Sequence, residues 1–381
     1  MKQPADTVWI VDQAKLLGFD LCGVVRAEIF PELEQSAEWL ARGYAGEMKY
    51  LADPRRADLQ AVLPGVRSAV VCLLNYNTGH PLSTDAAVRI DEQEPRGWIS
   101  RYAWGDDYHE VLREKLEALN ELLRKRYSEP FEARSYVDTG PVHERVLAKY
   151  AGLGWLGKNT LLLNQQLGSF FFLGVLLTTL DLEPTLGAQE LPPPDLCGSC
   201  RQCLDACPTQ AFTEPYVLDA RKCISYLTIE LRSSIPEELR EAMGNHVFGC
   251  DICQDVCPWN RRAPVSAMEQ FQPRHFSTES AQNDERADAA DLGEDDSLFL
   301  PRLEWLANLD EDSFRKAFRN SPIRRAKWRS LVRNACNALG NSRLSRGTAA
   351  HGRIIGLLGR LAASMDSLIA ESARWALSRI Q

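Results

Sequence analysis

Cys197-Gly198-Ser199-Cys200-Arg201-Gln202-Cys203-Leu204-Asp205-Ala206-Cys207-Pro208 is the stretch on which the reading of this chain turns. Its spacing is C-x2-C-x2-C-x3-C-P, a thiolate run that holds four-iron clusters in pairs, with the fourth cysteine serving the second cluster. Cys250-Asp251-Ile252-Cys253-Gln254-Asp255-Val256-Cys257-Pro258 matches the same run without its first cysteine, and Val247 stands in that place. Cys223, between the two groups, supplies the missing thiolate. The expected sets are Cys197, Cys200, Cys203 and Cys257 for one 4Fe–4S cluster, and Cys207, Cys223, Cys250 and Cys253 for the other. Soft sulfur donors suit iron in a sulfide core. A pair of zinc sites would take four ligands in two hairpin-like pairs, which this double run does not resemble.

Working outward, 381 residues with 45% hydrophobic and 25% charged composition describe a multidomain globular protein. Residues 1–30 lack a basic region followed by an apolar run. The longest apolar stretch, Phe170 to Leu180, is too short to cross a bilayer. The expectation is therefore a cytoplasmic protein with no membrane segment. Cys22, Cys72 and Cys336, the cysteines outside the window, read as small buried apolar residues.

Ala69–Leu74 and Phe170–Leu177 are continuous apolar runs of strand length. Val8–Leu17 and His109–Arg126 carry apolar residues at helical spacing. Together they predict an α/β domain before the cysteines, joined to them by the proline-rich segment Leu191–Asp195. Residues 277–297 are polar and acidic and read as a connector. Beyond it the pattern is helical. Residues 331–339 and 369–377 align at an offset of 38, pairing Leu331 with Ile369, Ala335 with Ala373 and Leu339 with Leu377, which suggests HEAT-like hairpins.

The net charge of −8 is unevenly spread. Residues 313–381 hold fourteen Lys plus Arg against Asp366 and Glu371, a net +12 on a body of −20. A basic, arginine-rich end on an acidic body points to a polyanion such as nucleic acid. It also suggests a tail that could be removed while the clusters stay.

Outside the cysteines, Tyr136-Val137-Asp138-Thr139-Gly140-Pro141-Val142-His143-Glu144-Arg145 places a carboxyl between a strand and a helix expected near Pro141. Two readings stand: Asp138 or Thr139 caps that helix, or Asp138 is a proton donor raised by burial. Gly152-Leu-Gly154-Trp155-Leu-Gly157-Lys158-Asn159 is a glycine-dense loop that lets backbone approach a large ligand closely. No Walker loop and no G-x-G-x-x-G is present. His109 and His143 read as ordinary polar residues.

Arg101-Tyr102-Ala103-Trp104-Gly105, Asp107-Tyr108-His109, Val137-Asp138-Thr139-Gly140, Lys158-Asn159, the whole cysteine pattern with Cys223-Ile224-Ser225, and the helical tail resemble the epoxyqueuosine reductases. The resemblance covers essentially the full chain. It implies a multidomain α+β protein: an α/β cobalamin-binding domain over 1–190, a two-cluster ferredoxin-like domain over 191–276, and HEAT-like helices over 298–381 that bind tRNA. It implies base-off cobalamin, two 4Fe–4S clusters and an external electron donor. The implied reaction is reduction of epoxyqueuosine to queuosine at the wobble position of tRNA with a G-U-N anticodon, by a monomer. Asp138 is the implied proton donor, and Arg56, Ser100, Asp138, Leu162, Leu173, Ser225, Cys250 and Asp251 the implied corrinoid contacts. The alternative is a reductive dehalogenase-like enzyme acting on a small molecule; an electron carrier and an RNA-binding scaffold are less consistent with a basic tail beside eight ordered cysteines.

Overall fold

The computed structural model describes residues 4–86, 94–187, 189–275 and 297–381. The acidic connector read at 277–297 lies outside them, apart from Ser297. Its first domain is built on four strands, β1 (Leu21–Arg26), β2 (Ser68–Asn75), β3 (Ala133–Tyr136) and β4 (Phe171–Thr178), in the order β1-β2-β4-β3. Every pairing in this sheet is antiparallel, with Val71 opposite Val175 and Val24 opposite Val70.

The α/β expectation, which carries a parallel sheet, is corrected here to α+β. Its physical basis was sound in part. An unbroken apolar run means a strand covered on both faces, most common in parallel sheets. Here both faces are covered although the strands alternate in direction. Val70, Cys72 and Leu74 pack under α1 (Pro4–Leu16) and α2 (Tyr108–Arg126), while Ala69, Val71 and Leu73 pack under α3 (Glu144–Tyr150). Gly174 keeps β4 close to α2: a Cβ there would stand 3.0 Å from Leu116.

The cysteine region is mostly short turns. Its one sizeable helix, α4 (Ile224–Ile229), starts directly after Cys223. A short strand, His246–Phe248, pairs in parallel with Trp98–Ile99 and so ties this region to the first domain.

After residue 297 the chain is helical, with α5 (Lys327–Gly340), α6 (Ala349–Ala362) and α7 (Ser367–Ile380) packed together. The two aligned sequence segments fall on α5 and α7, which lie against each other with Leu331, Ala335, Leu339, Ile369, Ala373 and Ala376 in one core. That core also takes in Trp98, Ile99, Trp104, Val247 and Phe248. The tail is thus not the separable module its charge suggested.

Arg333, 0% exposed, shows how tightly the regions are joined. Its guanidinium donates to the carbonyls of Leu227, Leu231 (2.9 Å) and Ser233 (2.6 Å), and Asn334 donates to those of Thr228 and Val247, both at 2.8 Å. All but that of Val247, in the strand His246–Phe248, are carbonyls at and beyond the C-terminal end of α4, which have no partner within the helix.

Candidate active site

Asp138 follows β3 in a left-handed conformation, φ 56°, one that aspartate and asparagine reach more easily than other side-chain-bearing residues. It caps nothing. The helix begins at Glu144 rather than at Pro141, its N-cap residue His143 makes no side-chain cap, and the Asp138 amide donates to Glu144 Oε1 at 2.6 Å. The capping reading is overturned by this geometry. Turned outward, the Asp138 carboxylate accepts from Tyr108 Oη at 3.0 Å and lies 3.8 Å from His109 Nε2.

His109 is held from its other side by Asp107, Nδ1 to Oδ1 2.7 Å. Burial alone would lower its pKa, but Asp107 and Asp138 overcome that and hold it at about 9. Burial pushes the Asp138 carboxyl up, and the His109 imidazolium and the Tyr108 hydroxyl more than reverse this, leaving it below the usual carboxylate range. The expected burial-raised acid is therefore a carboxylate paired with a protonated histidine. Glu144 is raised by burial and by the Asp138 charge. Sequence reading set His109 aside for want of a second metal ligand; its flanking by Asp107 and, across space, by Asp138 is what marks it.

The implied corrinoid contacts divide. Arg56 reaches this loop, donating to the Gly140 carbonyl at 3.0 Å. Leu162 is buried and Leu173 half-buried on the α3 side of the sheet. Ser225 sits half-exposed one turn from Cys223. Ser100 and Asp251 are buried and bonded to one another, and Asp251 also accepts from Trp98 Nε1 (3.1 Å) and the Arg101 amide (2.8 Å). Their side chains brace the wall, so any ligand contact they make is through backbone. Arg56 Nε is buried with no hydrogen-bond partner among the described residues, and His109 Nε2 has only the Asp138 ion pair at 3.8 Å, so these two donors beside Asp138 fit a large polar ligand. A hollow of about 570 Å³ lined by Asp106 and Ala267–Gln270 contains none of these residues. Arg101 and Trp104 are scaffold: the guanidinium binds the Thr78, His80 and Pro81 carbonyls and lies 4.8 Å from the Trp104 ring.

The cysteines of the window lie close enough to act on one another. Burial, then the sulfurs of Cys257, Cys197 and Cys200, pushes the Cys203 thiol up to about 11. Burial, then Cys253 and Cys223, raises Cys250. Burial, backbone donors aside, and the neighbouring Cys207 raise Cys223. Burial, then Cys223 and Cys203, raises Cys253, so the two sets adjoin at Cys203 and Cys253. Crowded thiolates repel unless a cation neutralises them, which bound iron does. No three Cys, His, Asp or Glu side chains converge on a single-ion site among the described residues; sulfurs spaced around a four-iron core stand farther apart than ligands of one ion. Cys22 and Cys72 face each other across β1 and β2, the Cys72 thiol donating to the Cys22 sulfur at 3.7 Å without a disulfide, and like Cys336 are buried.

At least seven of the fourteen tail cations are engaged within the protein, Arg374 through the Ala362 carbonyl at 3.1 Å. Arg333 is buried, and Arg315, Arg325, Arg329, Arg353 and Arg379 pair with Glu311, Glu230, Asp366, Glu304 and Glu241. Arg325 also lies over the Tyr50 ring at 5.3 Å, and its charge contributes to lowering Asp138. The basic segment Arg324–Arg329 therefore borders the Asp138 site.

These features define an iron–sulfur protein of the double-cluster type. The 4Fe–4S double cluster binding domain matches residues 196–260, and the domain described as epoxyqueuosine reductase QueG, DUF1730, matches residues 56–139. The epoxyqueuosine reductase of Gloeobacter violaceus is 43% identical over 87% of this chain and 95% of its own length, and that of Escherichia coli 38% identical over 90% and 84%. A crystal structure of epoxyqueuosine reductase with a tRNA-Tyr epoxyqueuosine-modified stem loop superposes with a TM-score of 0.81 at 29% identity, covering 99% of this chain and 90% of that one. The Streptococcus thermophilus enzyme gives 0.78 at 28% identity, over 98% and 90%. The chain belongs to the epoxyqueuosine reductase family.

Proposed function

We propose that this protein reduces epoxyqueuosine to queuosine at the wobble position of tRNA, and that one of its two protons passes from His109 through Asp138 while the other comes from solvent water. The observation that carries the reading is that Asp138 faces His109, Arg325 of the basic segment Arg324–Arg329, and Tyr102, which in turn faces Asp251 beside Cys250. Removal of the epoxide oxygen as water takes two electrons and two protons. Cobalamin, when bound, supplies the low-potential donor for this step. Arg56, the Asp138 loop, Leu162, Leu173, Ser225 and the backbone at Ser100 and Cys250–Asp251 hold it. Tyr108 and His109 keep the Asp138 carboxylate facing the reacting oxygen, with His109 as the proton store. A base in a single-stranded anticodon loop leaves its stack most easily, which suits tRNA with a G-U-N anticodon. The helices after residue 297 act as HEAT-like pairs, and exposed Arg324, Lys327, Arg343 and Arg346 meet the RNA backbone. No helix among the described residues is long and apolar enough to cross a membrane. We place the protein in the reducing cytoplasm, as a monomer served by an external electron donor.

The test is an anaerobic assay with reconstituted protein, cobalamin, a chemical reductant and tRNA bearing epoxyqueuosine. Nucleoside analysis should show loss of one oxygen, and the reaction should stop when cobalamin is left out. Turnover of a halogenated small molecule in place of tRNA would favour the dehalogenase reading instead.

The ligand sets we assign are Cys197, Cys200, Cys203 and Cys257 for one cluster, and Cys207, Cys223, Cys250 and Cys253 for the other. Wild-type protein should hold about eight irons. Cys257→Ser should damage the cluster on Cys197, Cys200 and Cys203, more than forty residues upstream of it. Damage confined to the cluster on Cys250 and Cys253 would show the crossed arrangement to be wrong.

A further inference from the structure

The loop Gly152–Asn159 looks from sequence like a cradle for a large ligand. The structure turns it toward the first cysteine set. Trp155 is 2% exposed and packs in one small cluster with Cys257, Cys197 and Trp259, edge-on to the Trp259 ring at 5.1 Å. Its indole N–H is buried and has no hydrogen-bond partner, sulfur included, among the described residues. Such an orphan is costly unless a partner arrives. The cysteines that Trp155 packs against, Cys197 and Cys257, both belong to that first cysteine set. The Lys158 ammonium bonds the carbonyls of Gly198 and Cys200 (2.9 Å), inside the same ligand loop. One short segment therefore brings a buried, unpartnered indole N–H and a full positive charge to one cysteine set.

We infer that Trp155 and Lys158 set the reduction potential of the cluster held by Cys197, Cys200, Cys203 and Cys257, raising it relative to a site without them. Reduction adds one electron to the cluster and no proton, so the negative charge of the cluster with its four thiolates rises by one. Hydrogen bonds to cluster sulfurs and a nearby cation stabilise the more negative state. The electron comes from the external reductant, and the clusters pass electrons on singly to a two-electron reaction. Trp155 and Lys158 touch neither substrate nor its protons. They are positioning residues for electron supply.

The inference rests on the crossed ligand set assigned above, and its test does not depend on tRNA turnover. Reconstituted wild-type, Trp155→Phe, Lys158→Met and Lys158→Arg proteins would be titrated anaerobically with dithionite at controlled potential, following the EPR signals of the reduced clusters. Trp155→Phe removes the N–H and keeps an aromatic ring. In Trp155→Phe and Lys158→Met one cluster should become about tenfold harder to reduce, a shift of ~59 mV for one electron. The other cluster's midpoint should stay where it is, and Lys158→Arg should remain close to wild type. Unmoved midpoints at full iron content would overturn the inference, and so would equal shifts in both clusters. Loss of the same cluster's iron from both Trp155→Phe and Lys158→Met would also overturn it, because the two groups would then hold the cluster rather than tune it. A shift that instead tracks the cluster damaged least by Cys257→Ser would locate the error in the ligand assignment.

Discussion

Asp138→Asn should lower single-turnover reduction of epoxyqueuosine by about 10²- to 10⁴-fold, the usual contribution of a positioned general acid, while leaving iron and corrinoid contents unchanged. Asparagine is the informative replacement. It tolerates the φ of 56° at this position and can still accept from Tyr108, so the loop keeps its shape and loses only the proton-carrying group. Alanine would add backbone strain and blur the result. The pH dependence follows from the pair. His109 has a folded pKa of about 9, above an unfolded value of ~6.5. Its stabilising contribution is fully present below ~6.5 and is lost as pH rises through about 9. Asp138 is depressed, so its contribution is present above its ordinary value and lost as pH falls through the lowered one. Turnover should therefore decline on the alkaline side near pH 9, as His109 gives up its stored proton. In Asp138→Asn the His109 pKa should fall, measurable as an earlier loss of that residue's contribution to stability. Normal turnover by the variant would place the proton source elsewhere. An alkaline limb that persists in His109→Gln would remove the histidine as the store.

Arg333→Met should destabilise the protein by about 3 kcal/mol or more, read as a lower midpoint in denaturant. The reason is local: the carbonyls of Leu227, Leu231 and Ser233 lose their partner where water does not reach freely, and a buried acceptor left unpaired costs about 1–3 kcal/mol. The damage should reach the metal centre. α4 starts at Cys223, where the amides of Ser225 and Tyr226 point at the thiolate, and Arg333 holds its other end. The cluster on Cys207, Cys223, Cys250 and Cys253 should be lost first. A chain ending at Asp312 should fare worse, because it uncovers Trp98, Val247 and Phe248. It should fail to accumulate in folded form, so the tail's share of RNA affinity is better measured with charge substitutions at exposed Arg324, Lys327, Arg343 and Arg346. A monodisperse truncated protein with both clusters intact would show that the helices are dispensable packing.

The comparison of sequence with structure has a physical pattern. The double-cluster domain was legible because cluster ligation is written in short cysteine spacings. The strands around Val71 and Val175 were legible as apolar runs, but such runs record burial on both faces and carry no direction, so the antiparallel pairing was not. Pro141 suggested a helix start that the chain delays to Glu144, and this made Asp138 look like a cap. His109 owes its role to a carboxylate nearly thirty residues away, a relation no local pattern holds. The basic tail was overread, since counting charge along the chain cannot see that Arg325 meets Glu230 or that Arg329 meets Asp366.

The shared core around Trp98 has a consequence for how the protein is made. Trp98 and Ile99 are synthesised early, yet their packing partners include Leu331, Leu339 and Ile369. Non-local contacts of this span form slowly, and until the last helices have left the ribosome an indole and its apolar neighbours stay open to water. A chaperone has reason to bind the nascent chain in this interval. Iron loaded before the final helices dock would enter a site whose α4 is not yet secured. Assembly of the metal centre is thereby tied to the docking of α5 and α7, and a chain stalled before them should be cleared by proteases rather than persist half-built.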